Sequence, residues 1–258
     1  MTADSSPTSE HKFPHADSVD VLLLLEGTFP FVAGGVSSWV NQIIRGFPEL
    51  RFGAIFMGSR SQDYGGLRYA LPDNLVHLET TYLFEQKDNP PIMPVKPPKG
   101  CMADVERMHE LFETDLKHPD CTRLFSTLMD EAGPDGRLSH EMFLYSKESW
   151  DYIKKSYRHR STDPSFVDYF WTIRIMHSPF WKLRAVAERC PKARIYHSIS
   201  TGYAGILGLL LKHRNPRPFI LSEHGIYVKE RKIDLYQAQW IKDNRTVFEH
   251  DPSQVSYY

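Results

Sequence analysis

Residues 22–40, "LLLLEGTFPFVAGGVSSWV", join an apolar run to an amphipathic segment through a loop that contains Gly34 and Gly35. The apolar run, residues 19–25, is short and bounded by turn residues, which predicts a strand buried on both faces, as in a parallel sheet. From Val36 onward, apolar residues recur at helical spacing with polar residues between them. Strand, glycine loop and helix together predict the first half of a βαβ unit.

Further short apolar runs extend this pattern along the chain. Four more strands are predicted, at residues 52–57, 75–78, 194–197 and 219–222. Between the last two, residues 200–214 predict a helix that ends before Pro216, with Gly202, Gly205 and Gly208 forming a ridge that allows close packing. Short strands that alternate with helices predict an α/β fold with a Rossmann-like, doubly wound parallel sheet.

The sequence also predicts how the chain is divided. Residues 1–18 are mostly polar and predict a disordered tail. Residues 19–242 predict the Rossmann-like domain, with a proline-rich stretch at 86–99 leading into a helical insertion over about residues 100–188. Residues 243–258 predict a truncated linker toward a further domain.

The composition narrows the class of protein. The 258 residues contain 31 Lys and Arg against 32 Asp and Glu, a formal net charge of -1, so the basic excess typical of a nucleic-acid binder is absent. Three cysteines without a Cys-x-x-Cys pair are typical of a reducing compartment. Since neither a signal peptide nor a run of about 20 apolar residues occurs, we expect a cytoplasmic protein that reaches an inner membrane only through partners.

The loop at Gly34 and Gly35 is a candidate phosphate site. The first N–H groups of a helix and its dipole point toward such a loop, and glycines let a phosphate approach the backbone. From this loop alone, a tight turn without a ligand is an equal alternative. The sequence has neither a G-x-x-x-x-G-K-[ST] loop nor a G-x-G-x-x-G loop with an acidic residue after the second strand. P-loop enzymes and dinucleotide enzymes are therefore disfavoured.

Two more polar loops follow predicted strands. His197 and Ser198 end the fourth strand, and Glu223 and His224 follow the fifth. Because ligands of open α/β sheets bind at the carboxyl edge of the sheet, we expect all three loops to meet there.

The hydroxyl of Ser200 or Thr201 is expected to cap the helix that follows the fourth strand. Neither a G-x-S-x-G elbow nor an H-E-x-x-H pair occurs, so the sequence indicates no serine hydrolase of that type and no zinc peptidase.

Three stretches together resemble the amino-terminal half of the cytosolic glycosyltransferase of Pel exopolysaccharide systems. They are "LLEGTFPFVAGGVSSWVNQII", "IYHSISTGYAGILG" and "SEHGIYVKERKIDL". That group is similar to the retaining glycosyltransferases of GT-B fold, in which two Rossmann-like domains face a cleft. The resemblance covers about residues 19–242, and the first and last stretches are its specific part.

The resemblance implies a donor site at the glycine loop. Gly34, Gly35 and the N–H of Val36 would contact the diphosphate of a UDP-sugar, and His224 would lie beside the transferred sugar, with Glu223 as its catalytic neighbour. No cofactor and no metal are expected, because the UDP-sugar is a substrate.

The resemblance also implies an acceptor side, with residues His197, Ser198, Tyr227 and Arg231. Glu26 and Glu223 are the only carboxylates near the predicted site that a double displacement could use. We therefore favour front-face transfer, in which the acceptor attacks on the side that the leaving phosphate departs from.

The partners implied are a polysaccharide acceptor, a carboxyl-terminal donor domain of the same enzyme and inner-membrane proteins of a Pel-type complex. The 258-residue chain alone is expected to be inactive. The alternative is a non-catalytic Rossmann-like module that docks onto a membrane polysaccharide-synthesis complex. Its docking surface would be the helical insertion, with Trp150, Trp171 and Trp181.

Overall fold

A computed structural model of the protein describes residues 13–85, 92, 95–96, 100–114, 118–132, 136–160, 165–225 and 229. Within these residues, five strands form one sheet in the order β3-β2-β1-β4-β5, and every neighbouring pair is parallel. The strands are β1 (Ser18–Glu26), β2 (Phe52–Gly58), β3 (Leu75–Tyr82), β4 (Lys192–Ser198) and β5 (Phe219–Leu221). The predicted α/β class, a Rossmann-like parallel sheet, is confirmed.

Helices cover the sheet and fill the segment between β3 and β4. The described helices are α1 (Gly35–Gly46), α2 (Ala103–Thr114), α3 (Asp120–Glu131), α4 (His140–Tyr145), α5 (Lys147–Arg160), α6 (Phe166–His177), α7 (Pro179–Arg189) and α8 (Tyr203–Arg214). A short 3-10 turn, Ser61–Asp63, follows β2. Six of these helices, α2 to α7, lie between β3 and β4 in the chain.

Alternate residues of β1 face opposite sides of the sheet and belong to two different cores. Leu22 and Leu24 pack with side chains of α7 and α8. Leu23 and Leu25 pack with Val40 and other side chains of α1. Because both faces of β1 are covered, the strand is apolar at every position from Val21 to Leu25, as the unbroken leucine run predicts.

The helical segment has a core of its own. Met142 of α4, Ile153 of α5 and Tyr169 of α6 are buried together with residues of the neighbouring loops. The aromatic residues of this segment therefore act mainly in packing.

Residues 13–17 lie against the sheet ahead of β1. The carbonyl of Pro14 accepts a hydrogen bond from Leu78 N–H (2.8 Å), and Asp17 accepts one from Lys192 N–H (2.9 Å). This part of the predicted disordered tail is therefore ordered, while residues 1–12 and 243–258 lie outside the described residues.

Candidate functional site

The carboxyl ends of β1 and β4 lie side by side at the centre of the sheet, where Leu24 pairs with Ser198. The chain leaves β1 toward α1 and β2 on one side, and leaves β4 toward α8 and β5 on the other. This is a topological switch point, the place where open α/β sheets bind ligands. The three polar loops singled out in the sequence, which follow β1, β4 and β5, all begin at this edge.

Gly34 and Gly35 form an exposed start of α1 that the protein's own packing does not require. A Cβ atom added at either position would meet no other atom within 4 Å, and neither has a φ in the left-handed region that favours glycine. Gly27, at the end of β1, differs because its φ of 61° favours glycine. Neither the packing nor the backbone conformation therefore requires glycine at positions 34 and 35, and the two glycines leave the backbone accessible at the start of α1.

The first turn of α1 contains no acidic side chain, so no carboxylate on this turn offsets the positive end of the helix dipole. Val36 lies in this turn and packs its side chain against the core below. The N–H groups of a first helical turn lack partners within the helix. An anion at this end of α1 would meet both the dipole and the backbone donors.

Tyr69, which the sequence analysis did not single out, holds the glycine loop. The N–H of Gly34 donates to the Tyr69 hydroxyl (3.3 Å), which also lies 3.2 Å from Ser38 Oγ. The Tyr69 ring packs 5.5 Å from that of Phe29. Tyr69 lies in the irregular chain between β2 and β3, where no motif marks it.

Trp39 connects the glycine loop to the two predicted histidines. It lies four residues after Gly35 and so on the same face of α1. Its ring meets His224 edge-to-face, with ring centroids 4.4 Å apart, and lies 6.0 Å from the ring of His197. In the sequence, Trp39 is one of the apolar residues that recur at helical spacing, and this pattern does not predict its contacts with the histidines.

His197 is partly buried, and its Nε2 lies 2.9 Å from the hydroxyl of Ser222. Burial lowers the pKa of His197 below its ordinary value, and the nearby His224 lowers it further. The imidazole is therefore neutral at pH 7 and can exchange a hydrogen bond with Ser222 without carrying a charge. His224 itself is exposed.

Glu26, at the end of β1, caps α8. Its Oε2 accepts hydrogen bonds from the N–H of Ala204 (3.2 Å), in the first turn of α8, and from the hydroxyl of Ser200 (3.3 Å). The predicted cap by Ser200 or Thr201 is wrong, because α8 has no side-chain cap at its own N-cap residue, Gly202. A carboxylate from the neighbouring strand takes that place and also complements the dipole.

Ser198 does not face a cleft. It is fully buried, and its hydroxyl donates to the carbonyl of Ser200 (2.7 Å), so it holds the turn after β4. The side chain of Ser198 is therefore not accessible for the predicted contact with an acceptor.

Two hydroxyls in the switch-point loops are buried without a hydrogen-bond partner among the described residues. They belong to Thr28, after β1, and Thr201, after β4. A buried polar atom without a partner costs about 1–3 kcal/mol.

Three predicted site residues remain, and the structure describes one of them, Glu223. Glu223 is exposed, next to His224. Tyr227 and Arg231 lie outside the described residues, so their predicted acceptor role stays a prediction. Within the described ranges, no three His, Cys, Asp or Glu side chains group in a metal-binding arrangement, and no helix has the length and apolar content to cross a membrane.

Comparison with known proteins identifies the family. A family model described as "Domain of unknown function (DUF3492)" matches residues 19–256. Because the match covers most of the chain, the protein belongs to this family. No curated protein and no solved structure matches it.

Proposed function

We propose that this chain is the acceptor-side domain of a retaining glycosyltransferase of GT-B type. It would help transfer a sugar from a UDP-sugar to a growing exopolysaccharide of the Pel type. The observation that carries the proposal is the open glycine start of α1, at the switch point and beside the pair His197 and His224.

The contrast between two helix ends supports a phosphate at α1. At the same edge of the sheet, α8 has its N-terminus covered by the Glu26 carboxylate, whereas the first turn of α1 has glycines and no acid. Departure of UDP builds negative charge on its phosphates, and backbone donors at a helix start stabilise such charge in the transition state. The N–H groups of Gly35 and Val36 would supply this stabilisation without a metal or cofactor, and Gly34, whose own N–H donates to Tyr69, would leave room for the phosphate.

The position of Glu26 favours front-face transfer over double displacement. Its carboxylate already accepts two hydrogen bonds at the start of α8, so using it as a nucleophile would uncap that helix. Glu223 is the other carboxylate named above, beside His224. In this proposal His224 lies next to the transferred sugar, and the neutral His197 lines the acceptor path.

The proposal is tested on the native protein that contains this chain, purified from its source, with UDP release measured from UDP-glucose and UDP-N-acetylglucosamine. We expect Gly35→Val to lower UDP release at least tenfold, because a side chain there blocks the approach of a phosphate. Gly46→Val is the matched control, since Gly46 ends the same helix and its Cβ would also meet nothing within 4 Å. Absence of UDP release from the unmodified protein, or equal loss in both variants, would overturn the proposal.

A second candidate is a non-catalytic module that docks onto a membrane polysaccharide-synthesis complex. It is favoured by one surface of α6, where Val167, Trp171 and Ile175 follow one another at four-residue spacing and are 61%, 53% and 49% exposed. Trp150 of α5 is also exposed, at 43%. Trp181 does not belong to the predicted docking surface, because its Nε1 donates to the carbonyl of Leu138 (2.8 Å) and its ring stacks on His140.

The two candidates differ in which substitutions matter. For the docking module, replacing Val167 and Trp171 by serine releases the protein from isolated membranes, and replacing Gly34 and Gly35 by valine has no effect. For the glycosyltransferase, the glycine pair controls UDP release whether or not the protein stays on the membrane.

A further inference from the structure

A second concave surface lies at the opposite, amino edge of the sheet. Here the starts of β1 and β4 and the residues just before β2 and β5 enclose an open cavity of about 440 Å³. That volume lies in the range of small-molecule sites, roughly 300–1,000 Å³. None of the residues named for the glycosyltransferase site lines it.

The charged side chains around this cavity are mostly positive. Arg51, Lys192, Arg194 and Arg217 line it together with one acid, Asp20. The protein as a whole carries a formal net charge of -1. The positive charge is therefore concentrated here and is not a general property of the surface.

Asp20 compensates part of this positive charge. Its carboxylate accepts a hydrogen bond from Arg194 (3.2 Å) and another from the backbone N–H of Arg51 (3.0 Å). These bonds hold the pKa of Asp20 below its ordinary value. Among the described residues, Lys192 and Arg217 have no ion-pair partner.

The backbone that carries these cations is fixed. Ser18 of β1 pairs in register with Lys192 of β4, and Lys192 N–H donates to the carbonyl of Asp17 (2.9 Å). Pro218 accepts a hydrogen bond from Tyr196 N–H (3.0 Å), which ties the segment of Arg217 to β4. The sheet thus fixes the backbone positions of these residues relative to one another before a ligand arrives.

We propose that this cavity binds a small phosphate-bearing anion. Arginine and lysine are the side chains that bind phosphate, by charge and by N–H donors. Val19, Ala193 and the prolines at 216 and 218 form apolar walls that suit the organic part of such a ligand. The site lies at the other end of β1 from Glu26, about 20 Å away at 3.3 Å per residue, and the inference does not rest on the proposed glycosyltransferase activity.

The test is calorimetric titration of the 258-residue chain with inorganic pyrophosphate at low ionic strength. It is carried out in the Gly35→Val background, so that the start of α1 contributes no binding. We expect the double variant Lys192→Gln, Arg217→Gln to weaken pyrophosphate binding at least tenfold. The matched control is Arg158→Gln, Lys212→Gln, which removes the same charge from exposed positions on α5 and α8.

The outcomes separate this site from general attraction and from lipid binding. Equal weakening in both double variants, or no binding before either change, would overturn the proposal. A parallel sedimentation with vesicles of phosphatidic acid and phosphatidylcholine should show no dependence on Lys192 and Arg217. If those two residues control vesicle binding and pyrophosphate does not compete, the ligand is a lipid surface and the proposal of a small free anion is wrong.

Discussion

Glu26 is the side chain whose role changes most between the sequence and the structure. As one of two carboxylates near the predicted sugar site it is a candidate nucleophile, but in the fold it accepts hydrogen bonds from Ser200 and from the N–H of Ala204. It joins the end of β1 to the start of α8 and neutralises the positive end of that helix.

We expect Glu26→Gln to lower the free energy of unfolding by about 1–2 kcal/mol, because the charge that complements the dipole is lost while an acceptor oxygen remains. Urea denaturation measures the change. Glu49→Gln is the control, since Glu49 is exposed after α1 and its loss should change stability by less than about 0.5 kcal/mol. A Glu26→Gln protein of unchanged stability that has lost all sugar transfer would return Glu26 to the role of nucleophile.

The cap by Glu26 could not be predicted from the sequence, because capping rules read residues within one turn of the helix start. Glu26 and Ala204 are 178 positions apart. The same reason hides Tyr69 and Ser222, whose contacts with Gly34 and His197 depend on how loops from different strands meet. The glycines and histidines after strands could be proposed from the sequence because the loops that follow parallel strands have a known geometric meaning.

At the scale of whole elements, α8 and β5 fit together through Gly208. A Cβ at this position would lie 2.4 Å from the ring of Phe219 and 3.3 Å from Leu24. The predicted glycine ridge is therefore confirmed at Gly208. At Gly205 a Cβ would meet only the carbonyl of Ser200, at 3.4 Å.

We expect Gly208→Ala to lower the free energy of unfolding by about 1–3 kcal/mol, although alanine is the better helix former, because the added methyl overpacks the contact with Phe219. Adding Phe219→Leu should recover part of that loss by removing the ring atoms in conflict. Thermal unfolding of the two single variants and the double variant gives the coupling. If the two changes simply add, the contact does not limit the packing of α8.

The contact between α4 and α7 is expected to make the free energy of unfolding depend on pH. His140 stacks on Trp181 with ring centroids 5.0 Å apart, and its Nε2 lies 3.2 Å from the Ser178 hydroxyl. Burial, the first cause, lowers the pKa of His140 from 6.5 to about 4, and Lys182 and Arg174 add to the effect. Between pH 6.5 and 4 the unfolded chain thus binds a proton at this residue that the folded chain does not.

The stability that neutral His140 contributes is therefore complete above pH 6.5 and declines as the pH falls toward 4. We expect a loss of at most about 2 kcal/mol from this residue between pH 7 and 5. His77 and His177 also have lowered pKa values and change stability in the same direction. The measurement is therefore the difference between the protein and His140→Gln, whose urea stability should fall less over this range. Parallel pH profiles would show that His140 is not responsible.

The elements themselves were the most predictable part of the chain. Each of the five predicted strands is present because buried parallel strands need unbroken apolar runs, as in β1 and β2. The order of the strands does not follow from such runs, since it depends on which strands pair across the sheet. The helical segment between β3 and β4 was predicted only in outline, because its aromatic residues pack among several helices and follow no single period.

For the molecule as a whole, the two edges of the sheet have different character. The carboxyl edge has the glycine start of α1 and the pair of histidines, and the amino edge has the cavity lined by arginines and lysine. Both are built on β1 and β4, whose register fixes one edge relative to the other. A ligand bound at the amino edge would not occupy the residues of the carboxyl edge, which could bind a separate ligand.

The exposure of the carboxyl edge leads to a prediction about the chain on its own. Gly34, Gly35 and His224 are all exposed, so in the proposed function they would form only one wall of the site. Sites for small ligands bury roughly 70–90% of the ligand, and water must be excluded for backbone donors to stabilise a leaving diphosphate strongly. We therefore expect the 258-residue chain alone to release no UDP from UDP-glucose or UDP-N-acetylglucosamine. The native protein that contains it should release UDP when a second domain supplies the opposite wall. A coupled assay for free UDP compares the two at equal concentration, and saturable release by the chain alone would mean that one wall is enough for catalysis.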